Sequence, residues 1–500
     1  MKIFSVSVVV FFCYLGAPSL ARGYAQFGKK AFPSDFVFGL GSAAYQYEGA
    51  ARADGKGKSV WDTFAHIPGK IVDNSNGDVA NDQYHRYKDD VKLLADLGVD
   101  SYRFSISWTR IFPNGSGKVN KKGIAYYNNL IDELLKHGIR PFVTIFHWDL
   151  PQALQDEYGG FLNEKIIKDF VNYADVCFKA FGDRVKDWVT INELISMSVY
   201  GYNFGSLAPG RCSKSVGNCS AGNSAIETYI VAHNLLLSHA AAVKLYRDKY
   251  QKTQKGSIGI TLVTHWFLPH SNSLADGKAS RRALDFFFGW YIDPLVRGEY
   301  PASMRATLGA RLPRFTQAQS NQVKGSFDFL GINYYTGMYT IHDSSVQNPM
   351  NNNFTQDARI ILVYERNGIL IGPQGGADWL HLYPRGIREL LNYIKYNYNN
   401  PPVYITENGI DDSYNSSMTM QERLNDTWRI NYHSKHLLNL AMAIKDGCNV
   451  KGYYGWTFMD DFEWNGGYES KMGFYYVERS NNLTRHARAS ADWLKDFLHN

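Results

Sequence analysis

The sequence predicts an α/β fold of the (β/α)8 type, a closed barrel with long βα loops in a single domain. Three observations predict it. Eight short apolar runs rich in β-branched and aromatic residues recur along the chain, and longer amphipathic stretches separate them. Short continuous apolar runs suit strands buried on both faces, as in a parallel sheet. Polar residues suited to chemistry accompany the end of every run, where barrels of this TIM type build their sites.

The first run, Phe36–Leu40, is followed by Gln46. The second, Asp100–Ile106, holds Arg103. The third, Pro141–Phe146, leads into His147. The fourth, Trp188–Ile191, leads into Asn192 and Glu193. The fifth, Ile258–Val263, precedes His265 and Trp266. The sixth, Phe327–Ile332, precedes Asn333 and Tyr335. The seventh, Val403–Thr406, precedes Glu407 and Asn408. The eighth, Gly452–Phe458, contains Trp456 and precedes Glu463 and Trp464. Between runs, Tyr87–Leu97, Ile124–His137 and Ile166–Phe181 carry helical spacing, and Gly98, Gly138 and Gly182 follow as expected C-caps.

A chain of 500 residues suggests two domains by size alone. No low-complexity linker divides it, so the expectation is one domain from about Ala25 to Asn500. The Asn/Gln-rich stretch Gln347–Gln356 reads as a surface loop. An aromatic share of 15% suits both a large core and a site for sugars, whose C–H faces pack flat on rings. A net charge of +6, without any basic run, gives no reason to expect a nucleic-acid partner.

The N-terminus reads as a signal peptide, residues 1–21. Lys2 precedes the apolar run Ile3–Leu15, and small residues stand at Ser19 and Ala21. Cleavage is expected after Ala21 or Ala25, leaving no membrane anchor. The expected route is the secretory pathway, ending in the extracellular space, the cell wall or a vacuole. The C-terminal residues do not form an ER-retention tetrapeptide. Cys212 and Cys219 flank a Ser/Gly/Asn-rich stretch and suit a small loop disulfide in an oxidising compartment. Cys177 reads as a buried thiol, Cys448 is left unassigned, and no Cys/His spacing matches a zinc site. Sequons for N-glycosylation stand at Asn114, Asn218, Asn353, Asn415, Asn425 and Asn482.

Glu193 and Glu407 are the pair that carries the chemistry. Two carboxylates delivered to one site are what glycoside hydrolysis requires. They are far apart in sequence, so only a closed fold brings them together.

The motifs around them resemble glycoside hydrolase family 1, and within it the plant β-glucosidases. The carriers are Ser42-Ala-Ala-Tyr-Gln-Tyr-Glu-Gly49, Tyr102-Arg-Phe-Ser-Ile-Ser-Trp108, Phe146-His-Trp-Asp149, Thr190-Ile-Asn-Glu193, Asn333-Tyr-Tyr-Thr336, Ile405-Thr-Glu-Asn-Gly409 and Asp461-Phe-Glu-Trp464. Ala208-Pro-Gly-Arg-Cys212, with Cys219, resembles the plant members in particular. The resemblance implies Glu407 as nucleophile and Glu193 as acid/base. It implies Gln46, His147, Asn192, Glu463 and Trp464 as glycone contacts over a Trp456 platform. Arg103, Asn333 and Tyr335 would orient Glu407, with Tyr335 also near the sugar. Trp379 and His265 would meet the aglycone.

The implied activity is retaining hydrolysis of β-D-glucosides, small molecules, with no metal or organic cofactor. The alternatives are a transglucosidase or thioglucosidase on the same scaffold and, further off, a silent sugar-binding protein. Two positions depart from the pattern: Leu194 replaces the usual Pro after the acid/base, and Met472 stands where many plant members have Phe. Myrosinases, the thioglucosidases of this family, carry Gln in place of the acid/base, whereas this chain keeps Glu193.

Overall fold

The computed structural model describes residues 27–346, 353–412 and 417–500. The signal-peptide segment and Asn415 lie outside the described residues. Eight parallel strands close into a barrel: β1 Val37–Gly41, β2 Ser101–Ser105, β3 Arg140–Phe146, β4 Asp187–Asn192, β5 Ser257–Val263, β6 Phe329–Asn333, β7 Val403–Asn408 and β8 Val450–Gly455. Each pairs with its sequence neighbours, and β8 closes on β1 through Val37↔Gly452 to Leu40↔Gly455. A helix follows each strand: α1 Gln83–Leu97, α2 Lys121–Lys136, α3 Lys165–Phe181, α4 Glu227–Tyr246, α5 Trp290–Arg297, α6 Arg385–Asn397, α7 Thr427–Lys445 and α8 Ala489–His499.

The apolar runs become strands because both of their faces are covered. One face packs on the helices, in a continuous core that includes Trp108, Phe170, Trp188 and Trp290. The other face fills the barrel. Val37, Phe142, Val189, Phe329 and Tyr454 form a separate interior cluster with Tyr404 against it. Phe142 sits 5.5 Å from Phe329 and 5.0 Å from Tyr454, centroid to centroid. This plug fills the barrel interior, so the core is packed and not a pore, and a site is expected at the C-terminal ends of the strands.

The helix expectations hold. Gly98 caps α1 in the left-handed region at φ 81°, and Gly138 follows α2 at φ 74°. Gly182 ends α3 as its C-cap, at φ −73°, with its N–H on the Phe178 carbonyl.

Outside the barrel, a three-stranded sheet over Trp266–Pro269, Gly337–His342 and Ile360–Val363 joins the loops after β5 and β6. The end of the expected loop Gln347–Gln356 is ordered: Asn353 starts the short helix Phe354–Ala358 with a capping box. The expected disulfide Cys212–Cys219 is present, and Cys177 and Cys448 are buried and free. Asn114, Asn218, Asn425 and Asn482 are exposed, while Asn353 is half-buried.

Candidate active site

Barrel geometry aims the strand ends at one cavity of about 390 Å³, lined by His147, Glu193, Tyr335, Glu407, Trp456 and Glu463, among others. The ladders slip where they approach the two glutamates. The β4–β5 register shifts between Val189 and Asn192, and the β6–β7 register shifts between Ile405 and Glu407. Such irregularities re-aim side chains at a barrel rim. Glu193, just past β4, has a left-handed φ of 44°, and its N–H is tied to the Thr261 carbonyl at 2.9 Å. Gly409 follows Glu407-Asn408 because a Cβ there would lie 1.8 Å from the Trp456 carbonyl oxygen.

The two carboxylates are served differently. Glu407 Oε1 accepts from Arg103 Nη1 at 2.7 Å, and Oε2 accepts from the Tyr335 hydroxyl at 2.6 Å. Glu193 Oε1 accepts from Asn333 Nδ2 at 2.6 Å, and Oε2 accepts from Ser196 Oγ at 2.6 Å. One carboxylate therefore has a cation and the other has neutral donors. Burial raises both pKa values above the ordinary carboxylate range. For Glu407 the Arg103 guanidinium opposes that rise. For Glu193 the negative charge of Glu407 adds to it, and the pKa reaches about 8. Glu407 ionises first and Glu193 keeps its proton through neutral pH.

A buried network locks these groups in place. Arg103 Nη2 donates to Asn192 Oδ1 at 2.6 Å, and Asn192 Nδ2 donates to His147 Nε2 at 3.0 Å. Thr406 donates to Asn333 Oδ1 at 2.7 Å, which fixes the amide so that Nδ2 faces Glu193. Asn333 was expected to orient Glu407. Its amide does lower the Glu407 pKa, but its 2.6 Å bond runs to Glu193. Tyr432 holds the Tyr335 carbonyl at 2.7 Å.

Around the carboxylates, Gln46 Nε2 donates to Glu463 at 3.1 Å and to Asp461 at 3.2 Å. Asp461 is buried, and Glu463 beside it is half-buried. Burial raises both, their mutual repulsion raises Glu463 further, and Asp461 reaches about 8. Burial and the charge of Arg103 hold His147 neutral. Gln46 Oε1 and His147 Nδ1 are buried without a partner among the described residues. Buried polar atoms ordinarily find partners, so this pair suits ligand hydroxyls. Trp456 lies nearly parallel to His147 at 6.0 Å and 22°, and Trp464 at 5.7 Å and 20°, which gives the inner cavity flat ring surfaces. His265 and Trp379 stand further out, 6.2 Å apart.

The structure thus brings together all the expected polar and aromatic residues. Sequence reading missed Ser196, Thr406, Asp461 and Tyr432. Ser196 is three residues after Glu193 at a strand-to-helix turn, a spacing at which a hydroxyl reaches back to a nearby acceptor, so a signal existed. Tyr432 arrives from α7, where nothing local marks it.

Comparison with known proteins agrees with this geometry. Beta-glucosidase 12 of Oryza sativa subsp. indica is 55% identical over 482 residues, covering 96% of this chain and 94% of the relative. The crystal structure of a rice beta-glucosidase superposes with a TM-score of 0.93 at 51% identity, covering 95% of this chain and 100% of that one. A mutant rice beta-glucosidase in a covalent complex with Glc from GA4GE gives the same TM-score, 0.93, at 50% identity and the same coverage, 95% and 100%. The family model described as Glycosyl hydrolase family 1 matches residues 28–500, and the chain belongs to that family.

Proposed function

We propose that this chain is a retaining β-glucosidase that hydrolyses β-D-glucosides by double displacement. The observation that carries the reading is the unequal service of the two carboxyls. Glu407, paired with Arg103 and first to ionise, is the nucleophile. Glu193, protonated to about pH 8, is the acid that gives its proton to the leaving oxygen. When Glu407 becomes an uncharged ester, its repulsion of the Glu193 carboxylate disappears, the Glu193 pKa falls, and Glu193 can act as base on water. The similar rice protein seen in a covalent complex with Glc supports a glycosyl-enzyme step. The carboxyl at position 193 favours O-glycosides over thioglycosides, which leave without protonation.

Gln46, His147, Asn192, Glu463 and Trp464 would bind the glucosyl hydroxyls, with Trp456 beneath the ring. The signal-like N-terminus, the disulfide and the exposed sequons support passage through the secretory pathway.

The test is NMR of product anomers from aryl β-D-glucoside, β-D-galactoside and β-D-fucoside. β-Glucose as the first anomer, with turnover abolished by Glu407→Gln, is the expected result. α-Glucose as the first anomer would make the enzyme inverting and sink the double displacement.

A further inference from the structure

The two ends of the cavity differ in chemistry. The inner end is polar and holds the carboxylates. Around Trp379 the lining is mostly apolar, with Ile195, Leu207, Val263, Phe287 and Met472. It also carries the neutral polar groups of Ser206, Thr264, Asn465 and Ser470. Trp379 presents its ring at the mouth, 41% exposed. His265 sits among these apolar groups, 8% exposed, with Nδ1 unpartnered among the described residues. Burial lowers its pKa to about 4, so it is a neutral ring able to hydrogen-bond an uncharged group.

The ionisable groups lining the cavity are acids and two neutral histidines. Glu193, Glu407, Asp411 and Glu463 line it, Glu193 protonated at neutral pH and Glu407 paired with Arg103, and among the described residues no Lys or Arg does. Arg103 is fully buried and engaged by Glu407 and Asn192. Lys471 lies between two lining residues but lines a separate cavity. Segments 347–352 and 413–416 contain no Lys or Arg in their sequence. Asp411 is held in place by the Gly376 and Ala377 N–H groups at 2.9 and 3.1 Å and by Ser470 at 3.0 Å.

We propose that this cavity selects apolar aromatic aglycones and rejects those carrying a carboxylate. The inference rests on the β-glucosidase reading. An anion moved from water into this wall finds apolar surface, the buried Asp411 carboxyl and, among the described lining residues, no Lys or Arg to pair with, a combination that is unfavourable. A ring of the same shape with an amide or hydroxyl keeps the stacking on Trp379 and can bond His265. An ammonium group meets no like charge.

The experiment compares the β-D-glucosides of 4-hydroxyphenylacetamide, tyramine and 4-hydroxyphenylacetate at about pH 6, where the amine and acid are both charged. The three phenols share a pKa near about 10, so leaving-group chemistry is matched. The expected result is that kcat/KM for the carboxylate is lower than for the amide by about 10-fold or more, with the amine close to the amide. Met472→Lys and Trp379→Lys, which place a cation in the outer wall, are expected to shrink the amide-to-carboxylate ratio. Trp379 is partly exposed, so that variant keeps the test alive if Met472→Lys does not fold. Equal turnover of amide and carboxylate by the unaltered enzyme overturns the proposal. So does a large ratio that neither lysine variant reduces, because charge would then not be its cause. Failure to hydrolyse any of the three would remove the β-glucosidase reading itself.

Discussion

Asn333 is the ladder neighbour of Glu407, yet it gives its amide hydrogen to Glu193, 2.6 Å away. One side chain therefore bears on both carboxyls, since the same amide also lowers the Glu407 pKa. Asn333→Ala should cost both. At neutral pH Glu193 is protonated, and a lost hydrogen bond to a neutral group is worth about 0.5–1.5 kcal/mol, so kcat/KM should fall about 2- to 13-fold. Both limbs of the pH profile should move to higher pH. A pH–rate profile in which neither limb moves would show that Asn333 acts only in packing.

Ser196→Ala separates the two effects. Ser196 touches Glu193 and has no bond to Glu407. Its donation lowers the Glu193 pKa, so its removal raises it. The basic limb of kcat/KM, near pH 8, should move up while the acidic limb stays. The comparison with Asn333→Ala needs only the two profiles recorded under identical conditions.

Much of this site was legible in the sequence because barrel topology turns strand ends into site positions. Arg103, His147, Asn192, Glu407 and their neighbours are polar interruptions of apolar runs, and period and position alone single them out. The partners that set their proton affinities were less visible. Tyr432 belongs to a helix remote in sequence, and Asp461 matters only because Glu463 and Gln46 pack on it.

The buried acid should weaken the fold at high pH. The Glu193 pKa rises from the ordinary 4.5 to about 8 on folding, so its contribution is fully present below about 4.5. Between those values the unfolded chain sheds a proton that the folded chain keeps. Stability is lost at about 1.4 kcal/mol per pH unit, up to the folded pKa. Glu193→Gln lacks this penalty. Its Tm should exceed that of the unaltered protein by a margin that widens from pH 5 to pH 8 and then levels off. Because the comparison is a difference, other buried acids such as Asp461 cancel. A margin independent of pH would mean that Glu193 is ionised at its ordinary pKa.

Tyr335→Phe probes the other carboxyl. Its hydroxyl donates to Glu407 Oε2 at 2.6 Å and lowers the Glu407 pKa. Tyr432 holds the Tyr335 carbonyl, so the phenyl ring of the variant should keep its place against Trp379, 5.7 Å away. Only the donor is lost. Glu407 then gains a proton at higher pH, and the acidic limb of kcat/KM should rise while the basic limb, set by Glu193, holds. At the plateau, kcat/KM should drop about 10- to 150-fold, the value of one hydrogen bond to a charged group. Loss of activity with an unmoved acidic limb would assign Tyr335 to the sugar and not to Glu407. Arg103 would then be the cation on which Glu407 depends.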